Sequence, residues 1–140
     1  MGLREDRVKI IPAVQEEILQ HAREESPREC CGLLSGEREI ITRLHRMRNI
    51  LRSEVRYAMD PTDLFHFFKE LRYCGYRHLR IYHSHPMSEA YPSATDIEQA
   101  FYPNCSYFIA SLNCNCLPSL RAFTITGQAV MEQMIGIVTG

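Results

Sequence analysis

Residues 79–86 read LRIYHSHP, and no other stretch of this 140-residue chain limits its fold so tightly. Side-chain character alternates along it with the period of an extended strand, so Leu79, Ile81, His83 and His85 are predicted to share one face. Pro86 then stops the strand, because proline has no N–H to give to a sheet. The chain must therefore build a sheet that ends with two imidazoles on the same side. Residues i and i+2 of a strand lie close enough to converge on one ion. A pair of ordinary hydrogen-bonded histidines is the plainer alternative, and H-x-H spacing alone leaves both readings open.

The rest of the chain reads as further strands and helices. VKII (8–11) is a first strand. Pro12 suits a first helical turn, and Val14, Ile18, Leu19 and Ala22 recur at helical spacing, so 12–25 is predicted to be an amphipathic helix. Cys30 to Leu34 is apolar enough for a buried strand, with a turn at Gly36. Residues 39–49 read as a strand, and Val55, Tyr57 and Met59 alternate as another. Asp60 and Pro61 supply an N-cap and a first helical residue. Leu64, Phe65, Phe68 and Leu71 are predicted to be the buried stripe of that helix, which ends near 74 before Gly75. After the 86–92 loop, Ser93 opens a short helix reaching about Tyr102. Residues 105–112 and 119–126 are strands, and 129–138 is a last strand or helix. No repeat, low-complexity tract or linker divides the chain, and its length suits one core rather than two. The expectation is a single α/β domain over 1–140, a mostly antiparallel curved sheet flanked by about three helices.

Charge excludes some partners. The formal net charge is -1, so no global field favours nucleic acid or an anionic membrane. No apolar run approaches the roughly 18 residues of a membrane span. The start, MGLREDR, is charged with no apolar stretch behind it, so no secretory signal is read; Asp6 stands where myristoylation needs Ser or Thr. A cytoplasmic protein is expected, with Cys30, Cys31, Cys74, Cys105, Cys114 and Cys116 as reduced thiols. Cys114-x-Cys116 is spaced too closely for a zinc knuckle. The clearest cationic cluster is Arg43, His45, Arg46, Arg48, Arg52 and Arg56, with Glu54 the only acid among them. Its plain reading is a solvated strand face. Its sharper reading is a docking surface for an acidic partner or a chain carboxylate, which the guanidinium fork suits.

Ten residues separate His85 from Asp96, and Ser93-Ala94-Thr95-Asp96 resembles a helix capping box. The usual acid there is Glu or Gln. Aspartate is one methylene shorter, which frees its carboxylate to point across to His83 and His85. Two imidazoles and one carboxylate make three ligands for a tetrahedral Zn²⁺, leaving the fourth position for water as in catalytic sites. Such a site needs a base for the water and a donor for the developing oxyanion. Glu29, in RECCGLLSG, precedes a predicted buried strand and supplies that base if the strand neighbours the histidine strand. The alternative is a surface acid in a helix-to-strand turn.

Glu29, then His83-Ser84-His85-Pro86, then Ser93-Ala94-Thr95-Asp96: in this order and spacing the chain resembles the JAMM (MPN-plus) zinc metalloproteases over most of its length. The resemblance implies a JAMM/MPN, cytidine-deaminase-like fold. It implies one Zn²⁺ per chain, held by His83, His85 and Asp96 with water as fourth ligand. Glu29 would move the water's proton to the leaving amine, and Ser93 would hydrogen-bond the oxyanion. Ser84 faces the other side of its strand and is assigned no chemistry. The activity implied is hydrolysis of the peptide or isopeptide bond after the C-terminal glycines of a ubiquitin-like or sulfur-carrier protein. Short bacterial and archaeal members include some that release cysteine from a carrier. An extended glycine tail suits a sheet-edge groove, and the arginine-rich 43–56 segment is expected to border it. Between Pro86 and Ser93 lies only MSEAYP, so the long insertions of polyubiquitin-specific relatives are missing. A zinc deaminase is rejected, because it wants H-x-E and P-C-x-x-C. A non-catalytic metal-binding scaffold in a protein complex is the alternative, separable by zinc content and chelator-sensitive turnover. No motif speaks to oligomeric state.

Overall fold

The structure, a computed structural model, describes residues 7–37, 39–74, 77–113 and 119–138. In chain order the elements are β1 (Arg7–Ile10), α1 (Pro12–Glu25), β2 (Cys31–Glu37), β3 (Ile40–Met47) and α2 (Pro61–Cys74). They continue with β4 (Arg77–His85), α3 (Ala94–Glu98), β5 (Tyr107–Ser111), β6 (Leu120–Thr126) and β7 (Ala129–Ile137). The strands close into a ring in the order β1-β3-β2-β4-β5-β6-β7. Four of the pairings are antiparallel, namely β2–β3, β2–β4, β5–β6 and β6–β7. Three are parallel, namely β1–β3, β1–β7 and β4–β5. The α/β architecture, mostly antiparallel with three helices, is the one expected. Ring closure gives every strand two neighbours, although β3 beyond Ile41 and β7 before Met134 are paired on one side only.

Helix α1 covers one face of the sheet. Val14, Ile18, His21 and Ala22 are its buried residues, spaced as one helical stripe. They meet Ile10, Leu34, Ile41, Tyr82 and Phe108, all buried. Tyr82 is the largest wholly buried side chain there, and its hydroxyl needs a partner; His21 Nδ1 lies 2.7 Å away and supplies it. The ring crosses β2 where there is no side chain, since a Cβ on Gly32 would fall 2.3 Å from it.

Helix α2 begins as predicted: the Thr62 and Asp63 N–H groups donate to Asp60 Oδ1 at 2.7 and 3.3 Å. Its buried face differs from the expected one. Leu64, Phe67 and Leu71 turn inward onto Leu33, Met47 and Ile81, while Phe65 is 65% and Phe68 48% exposed. Residues 64, 67 and 71 follow one line of the helix, and Phe65 lies about 100° away from it. The predicted stop at Gly75 lies outside the described residues, as do the side chains of Cys74, Cys114 and Cys116. Cys30, Cys31 and Cys105 are free thiols.

Three further boundaries move. Residues 55–59 form no strand; Met59 makes a single bridge to Asn49, and the Asn49 side chain takes the hydrogen bonds that a neighbouring strand would take. Helix α3 stops at Glu98 instead of near Tyr102, whose N–H donates to the Tyr107 hydroxyl at 3.2 Å. Residues 129–137 are strand rather than helix, paired to β6 on one side and β1 on the other.

Candidate metal centre

His83 and His85 lie on one face at the end of β4, both buried, as the alternation predicted. Ser84 faces the other way, and its Oγ accepts the Cys30 N–H at 2.8 Å, tying β4 to the start of β2. The β2–β4 register pairs Cys31 with His83, so Glu29, two residues before Cys31, falls on the metal face near His85. Asp96 comes from the first turn of α3. Ser93 Oγ accepts the Asp96 N–H at 3.0 Å, and Asp96 Oδ2 accepts the Ser93 N–H at 2.9 Å. The aspartate thus completes the capping box despite its short side chain, correcting the expectation, and the same oxygen also faces the imidazoles.

Asp96 Oδ2 lies 3.2 Å from His83 Nε2 and 2.9 Å from His85 Nε2, and the two Nε2 atoms are 3.2 Å apart. Zinc bonds of about 2.0–2.1 Å in tetrahedral geometry separate neighbouring ligand atoms by about 3.4 Å. The three donors are therefore spaced for one zinc-sized ion, and their chemistry, two imidazoles and a carboxylate, fits it. His85 Nδ1 lies 2.8 Å from the Glu89 carbonyl. A carbonyl can only accept, so Nδ1 carries the proton and the Nε2 lone pair faces the cluster. His83 Nδ1 is buried and finds no such partner among the described residues. Its ring is held instead by stacking on Tyr57, with centroids 4.7 Å apart and planes 28° from parallel.

The electrostatics of the cluster favour a cation. Burial pushes the His83 pKa down, only partly offset by Asp96. For His85 burial acts the same way, but the hydrogen bonds to Asp96 and the Glu89 carbonyl outweigh it and the value rises. Burial works against ionised Asp96 too, yet the two imidazoles hold it well below the usual carboxylate range. The field that retains a proton here also draws a metal ion.

Glu29 is 3% exposed, and its Oε1 has no hydrogen-bond partner among the described residues. Burial pushes its pKa up to about 8, with His85 pulling the other way and Asp96 adding to the rise. A cation held by the three ligands would lower it. Its backbone is clamped from both ends: the N–H donates to the Ser53 carbonyl at 2.8 Å, and the carbonyl accepts from Asn49 Nδ2 at 3.0 Å. Asn49 Nδ2 also donates to the Arg56 carbonyl at 3.1 Å, while its Oδ1 accepts from the Leu51 and Ala58 N–H groups, both at 3.1 Å. Sequence reasoning missed Asn49, Tyr57 and the Glu89 carbonyl. Asn49 carried a turn residue's signal inside the arginine run, and the alternation at Tyr57 pointed to a strand.

A groove of about 780 Å³ opens onto His83 and Asp96, with Tyr57, Leu64, Phe68 and Leu79 among its walls. Of the arginine cluster only Arg56 lines it. Arg46, Arg48 and Arg52 line a second cavity of about 630 Å³, together with Glu29. Arg46 pairs with Glu24 at 2.6 Å, and Arg48 with Asp63 at 3.3 Å and Asp60 at 3.4 Å. The expectation that the 43–56 segment borders the groove as a whole is therefore corrected, because the turn after β3 sends its side chains to different sides. Among the described residues, no helix is long and apolar enough to cross a membrane.

Residues 12–126 match the family described as prokaryotic homologs of the JAB domain. A desampylase of Haloferax volcanii is 34% identical over 75% of this chain and 81% of its own length. A CysO-cysteine peptidase of Mycobacterium tuberculosis is 33% identical over 86% of this chain and 84% of its own. Among solved structures, a protein of Desulfitobacterium hafniense superposes with a TM-score of 0.84 at 34% identity, covering 94% of this chain and 93% of that one.

Proposed function

The chain belongs to the family of prokaryotic JAB-domain homologues and is a JAMM-type metallopeptidase, and we propose that it hydrolyses the bond after the C-terminal glycines of a ubiquitin-like or sulfur-carrier protein. The observation that carries this reading is the trio of donor atoms at zinc-site spacing beside a buried, unpartnered carboxylate. His83, His85 and Asp96 would hold one zinc ion. When bound, it supplies Lewis acidity, bringing the pKa of a water to about 7 and polarising the scissile carbonyl. Glu29 takes the proton of the attacking water on its carboxylate and gives it to the leaving amine. Ser93 Oγ accepts one hydrogen bond for the helix cap, which leaves its own hydrogen to donate to the carbonyl oxygen as charge develops there.

The tail lies in the groove over β4. From Leu79 to His83 the strand runs about 13 Å, the length of four extended residues. Its pairing edge is the 55–59 segment rather than the sheet, because the Tyr57 N–H and C=O bond to no other described residue. Glycines let the tail's backbone approach the 55–59 segment closely. The reading takes residues 1–140 as one metallopeptidase domain working in the cytoplasm on a protein tail, with no nucleic acid or membrane involved. Desampylase and CysO-cysteine peptidase, the activities named for two relatives, are both of this substrate class.

The test is to offer the zinc-loaded protein a panel of ubiquitin-fold carriers with Gly-Gly tails and identify products by mass. Wild type should release the carrier with its tail ending in glycine, and a chelator should abolish the reaction. Glu29→Gln should retain zinc and lose most turnover, while His85→Ala should lose zinc as well. Full activity in Glu29→Gln would overturn the mechanism, and zinc binding without any cleavage would favour a scaffold.

A further inference from the structure

The walls of the groove are largely apolar: Leu33, Met59, Leu64, Phe68, Leu79 and Ile81 line it, and Asp96 is its only carboxylate among the described residues. Two arginines stand against that background. Arg56 comes from the segment beside the metal ligands, next to Tyr57, and Arg80 comes from β4, three residues before His83. On the proposed function, which this inference rests on, the last glycine of the tail lies at His83 and the tail runs back over β4. About 10 Å of extended chain then separates that glycine from the level of Arg80.

Arg80 leaves the strand on the Tyr82 side, opposite Leu79 and Ile81. Its side chain then folds back, and Nη1 donates to the Leu79 carbonyl at 3.1 Å. Cys105 Sγ donates to the same oxygen at 3.2 Å, and Cys105 is a wall of the groove. The guanidinium and the thiol therefore meet at the groove's far end. There the arginine is half-buried and makes no ion pair among the described residues. Its Nε is buried without a partner, and Nη2 has none either while remaining within reach of solvent. Burial lowers its pKa, with Cys105 and Glu39 pulling the other way, yet a guanidinium stays charged in a protein. A half-buried charge without a counter-charge destabilises the free protein, and packing alone gives no reason for it.

We infer that the far end of the groove is an anion subsite, and that Arg80 receives an acidic side chain of the tail about four residues ahead of the scissile bond. The carrier that fits carries an acidic residue, one further residue and then Gly-Gly at its C-terminus. A glutamate there accepts from the open Nη2 and neutralises the guanidinium against an apolar wall, where charge-assisted hydrogen bonds are strongest. A basic residue at the same place finds no acid to pair with, since Asp96 Oδ2 faces the two imidazoles, and it meets the like charge of Arg80. Arg80 is thus a specificity-determining residue that selects among Gly-Gly tails by the charge that precedes them.

The test uses zinc-loaded wild type and the fastest-cleaved carrier of the panel, with glutamate, glutamine or arginine as the fourth residue before the scissile bond. kcat/KM should be roughly tenfold higher for glutamate than for glutamine, as a charge-assisted hydrogen bond supplies, and lower still for arginine. The glutamate-to-glutamine ratio should shrink towards one as salt rises from about 0.05 to 1 M, because salt screens a pair that solvent reaches. Arg80→Gln should bring the ratio close to one, Arg80→Lys should keep part of it, and Arg56→Gln should leave it standing. Melting temperatures show which variants fold, and the salt series on wild type carries the test without them. Equal rates on glutamate and glutamine, or a ratio indifferent to salt and to Arg80, would overturn the subsite, while cleavage of the glutamine form leaves the peptidase standing. A ratio lost in Arg56→Gln but kept in Arg80→Gln would overturn the assignment to Arg80. Cleavage of none of the three forms would remove the peptidase reading and this one with it.

Discussion

Replacing Asn49 by alanine tests whether the loop after β3 sets the position of Glu29, the proposed base. The substitution removes four hydrogen bonds: to the Glu29 and Arg56 carbonyls, and from the Leu51 and Ala58 N–H groups. Each contributes about 0.5–1.5 kcal/mol net, and the exposed ones lie at the low end, so the sum is about 3 kcal/mol. For a chain of this size that lowers the melting temperature by roughly 10 °C. The effect on turnover is separate. With its carbonyl released, Glu29 keeps only its N–H bond to Ser53, and a shift of about 1 Å in a catalytic group costs about 100-fold. Zinc content should stay near one per chain, since His83, His85 and Asp96 come from β4 and α3. Asn49→Asp separates loop stability from base positioning. It keeps both acceptor bonds but cannot donate to Glu29, so its kcat should fall as far as that of the alanine variant while its stability falls less. The assay is kcat measured well below the melting point, beside urea unfolding and zinc titration. A kcat within about twofold of wild type in Asn49→Ala, despite lost stability, would refute the positioning argument.

Tyr57→Ala should weaken zinc binding about 10-fold to 100-fold by removing the ring that orients His83, whereas Tyr57→Phe should retain it; equal affinities in a competition titration would count against the stacking role. His21 is held down to about 4 from 6.5, first by burial and then by Arg46. Between those values the unfolded chain takes up a proton that the folded one refuses, so stability should fall as pH drops from 6.5 to 4. The fall should exceed that of His21→Gln by at most about 3 kcal/mol in urea unfolding, and parallel profiles would exclude the mechanism. Gly36→Ala should destabilise by more than about 3 kcal/mol, because its Cβ would meet the Ile40 carbonyl oxygen at 1.8 Å where β2 shifts register; an unchanged urea midpoint would contradict that packing.

The candidate metal ligands were legible in the chain because they rest on short-range periodicity. Strand alternation put His83 and His85 on one side, and the span of a helical turn joined Ser93 to Asp96. The Asp60 cap and the α1 stripe belong to the same class, since neither needs a partner far away. What tertiary structure decided depends on which segments meet. The β2–β4 register, pairing Cys31 with His83, brings Glu29 to a site more than fifty residues along the chain. The strands close into a ring, and the 55–59 segment beside the groove joins no strand of it. The Asn49 bonds turned a predicted strand into a clamp on Glu29 and divided one arginine run between two cavities. Local letters fix the direction of a side chain along its own element. They do not fix which element lies opposite, because that is settled by burial and hydrogen bonding summed over the whole chain.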